Sequence, residues 1–519
     1  MSGRSTIVYL RLLALFQALW VHLAIQPASA QVPLPPNFIN SAVPHDVPAG
    51  PSASIQDLAI FAWSEFIALN WVAMDPATTG VRGRPDVNAD FLSIKPDSDG
   101  NFPLLVWHTY QHKNELFPAT GQTAPSFDSK APAYIYSDPQ PGQGTSFPLQ
   151  TSKPTTGALF TLFNNLDETS EIGLANMYAH YKSTTDNIRI AYEAKVGRAL
   201  FDYLNKNNFT NCPPADGFCP TLSAAQNKTE KDLAQYGGIC STDPTIVSLP
   251  CGDATVAGDA GEGAIETKAA WRQLTGEEIA SGRFFTRTVI YYTGQGTNQR
   301  YNNAVYGLIA LHIIHKTKSF PAFVFATWEQ IDNYDDQTNQ NTQDLKYINL
   351  STPPIPNDPV TRAHAIRSQI PPVNNAVHAA FTAANPTTIW QYYKLIGVQA
   401  TPLSGPPLAT APPDDLSYYY LANIVVESNQ TLQNFFGKVD GGGNTQPFKN
   451  VYLNGAPGSP FQMGGCQGCH GTQGQSMGGD MSRIVALAPY DSIGPPESID
   501  DGPAASFQSY LRRSRALPR

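Results

Sequence analysis

The chain has 519 residues, of which 41% are hydrophobic and only 14% charged, with 44 prolines, 40 glycines and a formal net charge of −9. That balance excludes a coiled coil and an acidic disordered chain, and it leaves no basic face for a nucleic-acid partner. The length allows two or three domains, or one large domain with additions.

At the amino end, Arg4 and Arg11 precede an apolar run from Leu12 to Ile25, and Ala28-Ser29-Ala30 offers small residues for cleavage before Gln31. This is the order of a secretory signal peptide over residues 1–30. The run is roughly 14 residues long and carries Gln17 and His22, against the about 20 apolar residues that span a bilayer. Export with removal is therefore expected, to the periplasm or beyond, with no integral span left afterwards.

Residues 31–50 are proline-rich and read as an extended lead-in. A helix follows: Ser54 caps it, Asp57 sits in its first turn, and Ile55, Leu58, Ala59, Ala62, Phe66 and Leu69 recur at helical spacing until Asp75-Pro76 ends it. DSDGN at 97–101 begins like a calcium loop, but His108 stands where the closing glutamate belongs, so it reads as a turn. Further helices are predicted over 188–205 (IRIAYEAKVGRALFDYLN) and near 387–396. Strands are predicted at 284–292, 305–315 and 322–331, where aromatic and β-branched residues cluster between turn formers. Residues 51–400 thus read as one large α+β domain with much antiparallel sheet. A Pro-rich linker, residues 401–415, precedes a small segment at 416–496, and a flexible basic tail occupies 497–519.

Six cysteines fall into two groups. Cys212, Cys219, Cys240 and Cys251 lie among turn formers, and in an oxidising compartment they read as two disulfides whose pairing stays open. Cys466 and Cys469 belong to GGCQGCHGTQG at 464–474. On one helical turn residues i and i+3 project from the same side, so Cys466 and Cys469 can each form a thioether to a haem vinyl group. His470 then directs its imidazole at the iron. A zinc ribbon would need a second cysteine pair, and a thioredoxin-like pair would follow a strand in a βαβ unit. Neither pattern is present in the sequence.

CQGCHG resembles the haem site of a secreted bacterial c-type cytochrome. Over longer stretches, FAWSEFIALNW, GLIALHIIHKT, FATWEQIDN and YLANIVVESNQTLQNF resemble a group of exported proteins with a large amino-terminal domain and one haem motif near the end. The first likeness implies one covalent haem c, with Cys466 and Cys469 as thioether residues and His470 as proximal ligand. The second implies no particular reaction.

For the sixth iron position, Met477 in the glycine-rich loop is the sulfur candidate, while Met481 opens an apolar run behind Asp480, read as an N-cap, and is expected in the core. Alternatively the large domain supplies the ligand, or none exists. His312 and His315 face opposite ways if 305–315 is a strand, so they cannot share a metal, and each reads as an ordinary hydrogen-bonded histidine. His108 and His112 would share a face only on a helix, which VWHTYQH does not suggest. The expected function is one-electron transfer with a redox partner protein or a small-molecule donor or acceptor. The alternative is a haem-dependent oxidoreductase, reacting with peroxide or oxidising a substrate held by the large domain; a structural haem in a binding module is the third.

Overall fold

The structure is a computed structural model that describes residues 32–117, 126–129, 166, 176–181, 187–211, 219–236, 238–293, 300–333, 345–350, 366–400, 466, 470 and 477–487. The predicted signal peptide, linker and basic tail lie outside the described residues, as does Cys469.

Helix α1, Ile55–Leu69, forms where its cap predicts. The Ser54 hydroxyl accepts from the Asp57 N–H while the Asp57 carboxylate accepts from the Ser54 N–H, a reciprocal capping box. Its apolar residues are not confined to one stripe, because Leu58, Phe61, Trp63, Phe66 and Ile67 are all buried. It is a central helix, enclosed on several sides.

The strands among the described residues are β1 Gln111–His112, β2 Asn176–Tyr181, β3 Asn187–Arg189, β4 Ala191–Val196, β5 Ile265–Arg272, β6 Thr286–Thr293, β7 Arg300–His315, β8 Val324–Gln330, β9 Leu345–Leu350 and β10 Tyr393–Gln399. Seven make one sheet in the order β1-β4-β5-β7-β8-β10, with β6 paired to β7, and β3-β2-β9 make a second. The register is antiparallel throughout. The α+β class with a large antiparallel sheet is as expected.

The helix expected over 188–205 is instead β3, β4 and then α2, Arg198–Lys206. Ile190, Tyr192, Ala194 and Val196 alternate at period two, and β4 pairs between β1 and β5. Gly197 breaks the run; a Cβ there would crowd the rings and side chains of Tyr110 and Ile265. The helix expected near 387–396 is a short 3-10 turn, Ile389–Tyr392, leading into β10. The long helix lies upstream. After α3, Pro220–Lys231, comes α4, Ile370–Ala384, which carries Pro371 and Pro372 in its first turn, where no amide donor is required.

Strand alternation divides the main sheet into two faces. On one, Trp328 meets Trp63 and Phe66 of α1 at ring separations of 6.1 and 5.1 Å, and His315 meets Glu65 at 2.5 Å. The other face carries two cross-strand rows: Glu266, Ile314 and Phe325, then Lys268, His312 and Thr327. His312 and His315 do face opposite ways. Residues 97–101 form a turn, with the Asp97 carboxylate accepting from the Asp99 and Asn101 N–H groups.

Cys240 and Cys251 are joined in a disulfide, and Cys219 is also disulfide-bonded. Cys212 lies outside the described residues. Among the described residues no helix is long and apolar enough to cross a membrane.

Candidate functional site

The second face of the sheet receives the carboxyl-terminal segment. Cys466 and His470 both have helical backbone, one turn apart; Cys466 is buried in the same apolar cluster as Met481 and Val485, and His470 is half-buried. The His470 ring stands edge-on to Phe325 of β8, centroids 4.8 Å apart.

One hydrogen bond sets the chemistry of that ring. His470 Nδ1 lies 2.8 Å from the backbone carbonyl of Met481. A carbonyl can only accept, so Nδ1 carries the proton and Nε2 keeps the lone pair. Desolvation pushes the His470 pKa down to about 3, with the nearby positive charges of Arg483 and Lys268 acting the same way. The imidazole is therefore neutral at physiological pH. Its donor nitrogen is oriented from behind by a carbonyl, the arrangement that metal-ligating histidines use.

That carbonyl is held in place by a strained turn. Asp480 and Met481 have φ of 54° and 68°, left-handed values that cost non-glycine residues about 1–3 kcal/mol each and persist only where surroundings impose them. The surroundings here are tight. The Asp480 carboxylate accepts from the Lys316 ammonium and, at 2.6 Å, from the Leu249 N–H. Lys316 also donates to the Ile239 carbonyl at 2.8 Å, so the loop closed by Cys240–Cys251 braces the pair. The Gln226 amide of α3 donates to the Val485 carbonyl at 2.9 Å. Gly478, at φ 71°, lies where a Cβ would collide with the Gln226 carbonyl.

Several sequence expectations find their places here. Met481 is a core side chain, 1% exposed. Met477 is half-buried in the turn just before Gly478. Asp480 is not the N-cap: α5 is Arg483–Leu487, and the Ser482 hydroxyl caps it by accepting from the Val485 N–H at 3.0 Å. The burial of Lys316 in the domain explains why the carboxylate is drawn inward. Lys316, Gln226 and Phe325 carried no signal in the sequence, since each acquires its role only across a large separation. His108 packs against Trp107 and accepts from the Leu105 N–H at 3.0 Å, and His112 lies on β1.

Glu266 sits beneath this segment, 5% exposed, with one carboxylate oxygen bonded to no group and the other held by Ser482. Burial, reinforced by the charge of Asp480, pushes its pKa up to about 7. The folded protein thus keeps a proton on Glu266 that the unfolded chain releases near pH 4.3. Its contribution to stability is complete below that pH and is lost as pH rises through about 7, on the order of 3 kcal/mol in all. Glu262, also pushed up to about 7 by burial, acts in the same sense. Urea unfolding at pH 5 and pH 8 should show the loss, and Glu266→Gln should shrink the difference. An unchanged pH dependence in the variant would refute the assignment.

Comparison with known protein families, with characterised proteins and with solved structures finds no match.

Proposed function

We propose that this protein is an exported, periplasmic monohaem c-type cytochrome that transfers single electrons to or from a redox partner protein or a small molecule. The carrying observation is the His470 ring: neutral, with Nδ1 committed to the Met481 carbonyl and Nε2 left as a donor, one helical turn beyond the buried Cys466. Those residues suit haem c. Cys466 and Cys469 would hold it through thioethers and His470 would ligate its iron, and haem c bound there supplies a one-electron couple.

The chain's own residues account for the rest. The Met481 carbonyl fixes the ring's tautomer and raises the basicity of Nε2. The Asp480–Lys316 pair holds the turn that carries that carbonyl, and Gln226 pins the Val485 carbonyl just beyond it, so the imidazole would keep one orientation. Phe325 and the neighbouring core keep water from one side of the imidazole.

The test is expression of the full chain, with its leader, in a host that has haem-attachment machinery. Pigment should stay with the polypeptide in acidified organic solvent and on a denaturing gel. Replacing both Cys466 and Cys469 with serine should abolish it. A colourless protein, or pigment that extracts freely, would defeat the proposal.

A further inference from the structure

We infer that His312, on β7 of the large domain, is the second axial ligand of the same iron. This rests on the haem reading above and adds the residue that completes the site. Strand register carries the case. Phe325 pairs with Ile314, and His312 is the next residue along β7 on that face, between Lys268 and Thr327. Diagonal neighbours in such a pair lie about 7–8 Å apart, and the His470 ring rests on Phe325 at 4.8 Å. The two imidazoles therefore come to one patch of sheet from two parts of the chain, one from a helical turn and one from a strand.

Other donors are placed less well. The Met481 side chain is in the core, with its carbonyl committed to His470. His315 is turned to Glu65 on the opposite face, and His378 bonds the Tyr393 carbonyl from α4. Met477 lies in the turn at the edge of the docked segment, half-buried. A ligand on a strand paired on both sides is held more firmly than one on that turn. Two imidazoles give a lower potential than imidazole with thioether, and a closed iron that electrons reach without an exchangeable ligand.

Haem-loaded full-length protein tests this by its optical and electron-paramagnetic spectra. The wild type should be low-spin in both oxidation states, indifferent to carbon monoxide, and lacking the sulfur-to-iron charge-transfer band of methionine ligation. His312→Ala should become high-spin and bind carbon monoxide stoichiometrically, and His312→Met should gain the sulfur-to-iron band with a raised potential. Pyridine haemochrome on each sample reports attachment separately. If haem is attached but His312→Ala keeps the wild-type spectrum, or if the wild type shows a sulfur band that Met477→Ala removes, the inference fails while the cytochrome reading stands. Absence of attached haem would remove both.

Discussion

Asp480→Ala should destabilise the protein by about 3–5 kcal/mol, the range seen when one partner of a buried ion pair is removed. Lys316 and Asp480 have side chains 0% and 1% exposed. Burial pushes the Asp480 carboxyl up and the Lys316 ammonium down, and each opposes the other's shift. Alanine leaves the ammonium with only the Ile239 carbonyl and deprives the Leu249 N–H of its acceptor. The penalty is local as well as global, because Asp480 also imposes the left-handed turn that aims the Met481 carbonyl at His470. Urea unfolding should show a reduced midpoint, and amides of 477–487 should exchange faster than those of β7. The double variant Asp480→Leu, Lys316→Met should recover much of the stability, since matched apolar residues remove the unpaired charge. If Asp480→Ala unfolds at the wild-type midpoint, the pair does not anchor the segment.

His315→Leu should also destabilise the protein, on the opposite face, because it removes the partner of a buried carboxyl group. Glu65 and His315 have side chains wholly buried, and Glu65 has its second carboxylate oxygen bonded to nothing. Leucine would strand the carboxyl group between α1 and the sheet, where desolvation already raises its pKa. The Phe61 ring, stacked 5.9 Å from His315, would keep its apolar neighbour, so the loss would come from the polar partner. About 1–3 kcal/mol is expected for a buried carboxyl group left without its partner, measured by urea unfolding, and the spectrum of the proposed haem protein should not change. His312→Ala should behave in reverse, altering the spectrum and sparing most of the stability. If His315→Leu changed the spectrum or left stability intact, the division of labour between the two faces would be wrong.

Local signals proved reliable where one short stretch contains the whole cause. The capping box of Ser54 and Asp57 is four residues of sequence, and it starts α1 where expected. Aromatic and β-branched runs marked β6, β7 and β8, and alternation along β7 alone put His312 and His315 on opposite faces. The spacing of Cys466, Cys469 and His470 is equally local, which is why the haem hypothesis could be framed from the chain itself. Elsewhere a local pattern was present and outweighed. The residues at 191–196 suit either periodicity in part, and pairing with β1 and β5 made them strand. The long helix α4, which opens with Pro371 and Pro372, was not predicted.

Other features have no local cause. Asp480 followed by an apolar run looks like a helix cap, and only a lysine 164 residues away, buried by the fold, makes it an anchor. The carbonyl that orients His470 belongs to a residue whose backbone angle is set by that anchor. Phe325 and His312 approach His470 because β7 and β8 are adjacent in the sheet, a consequence of strand order. Covalent spacing and cap chemistry act within a few residues and are written in the chain. Burial of charge, register and ring contact are properties of distant segments brought together, and the folded sheet alone decides them.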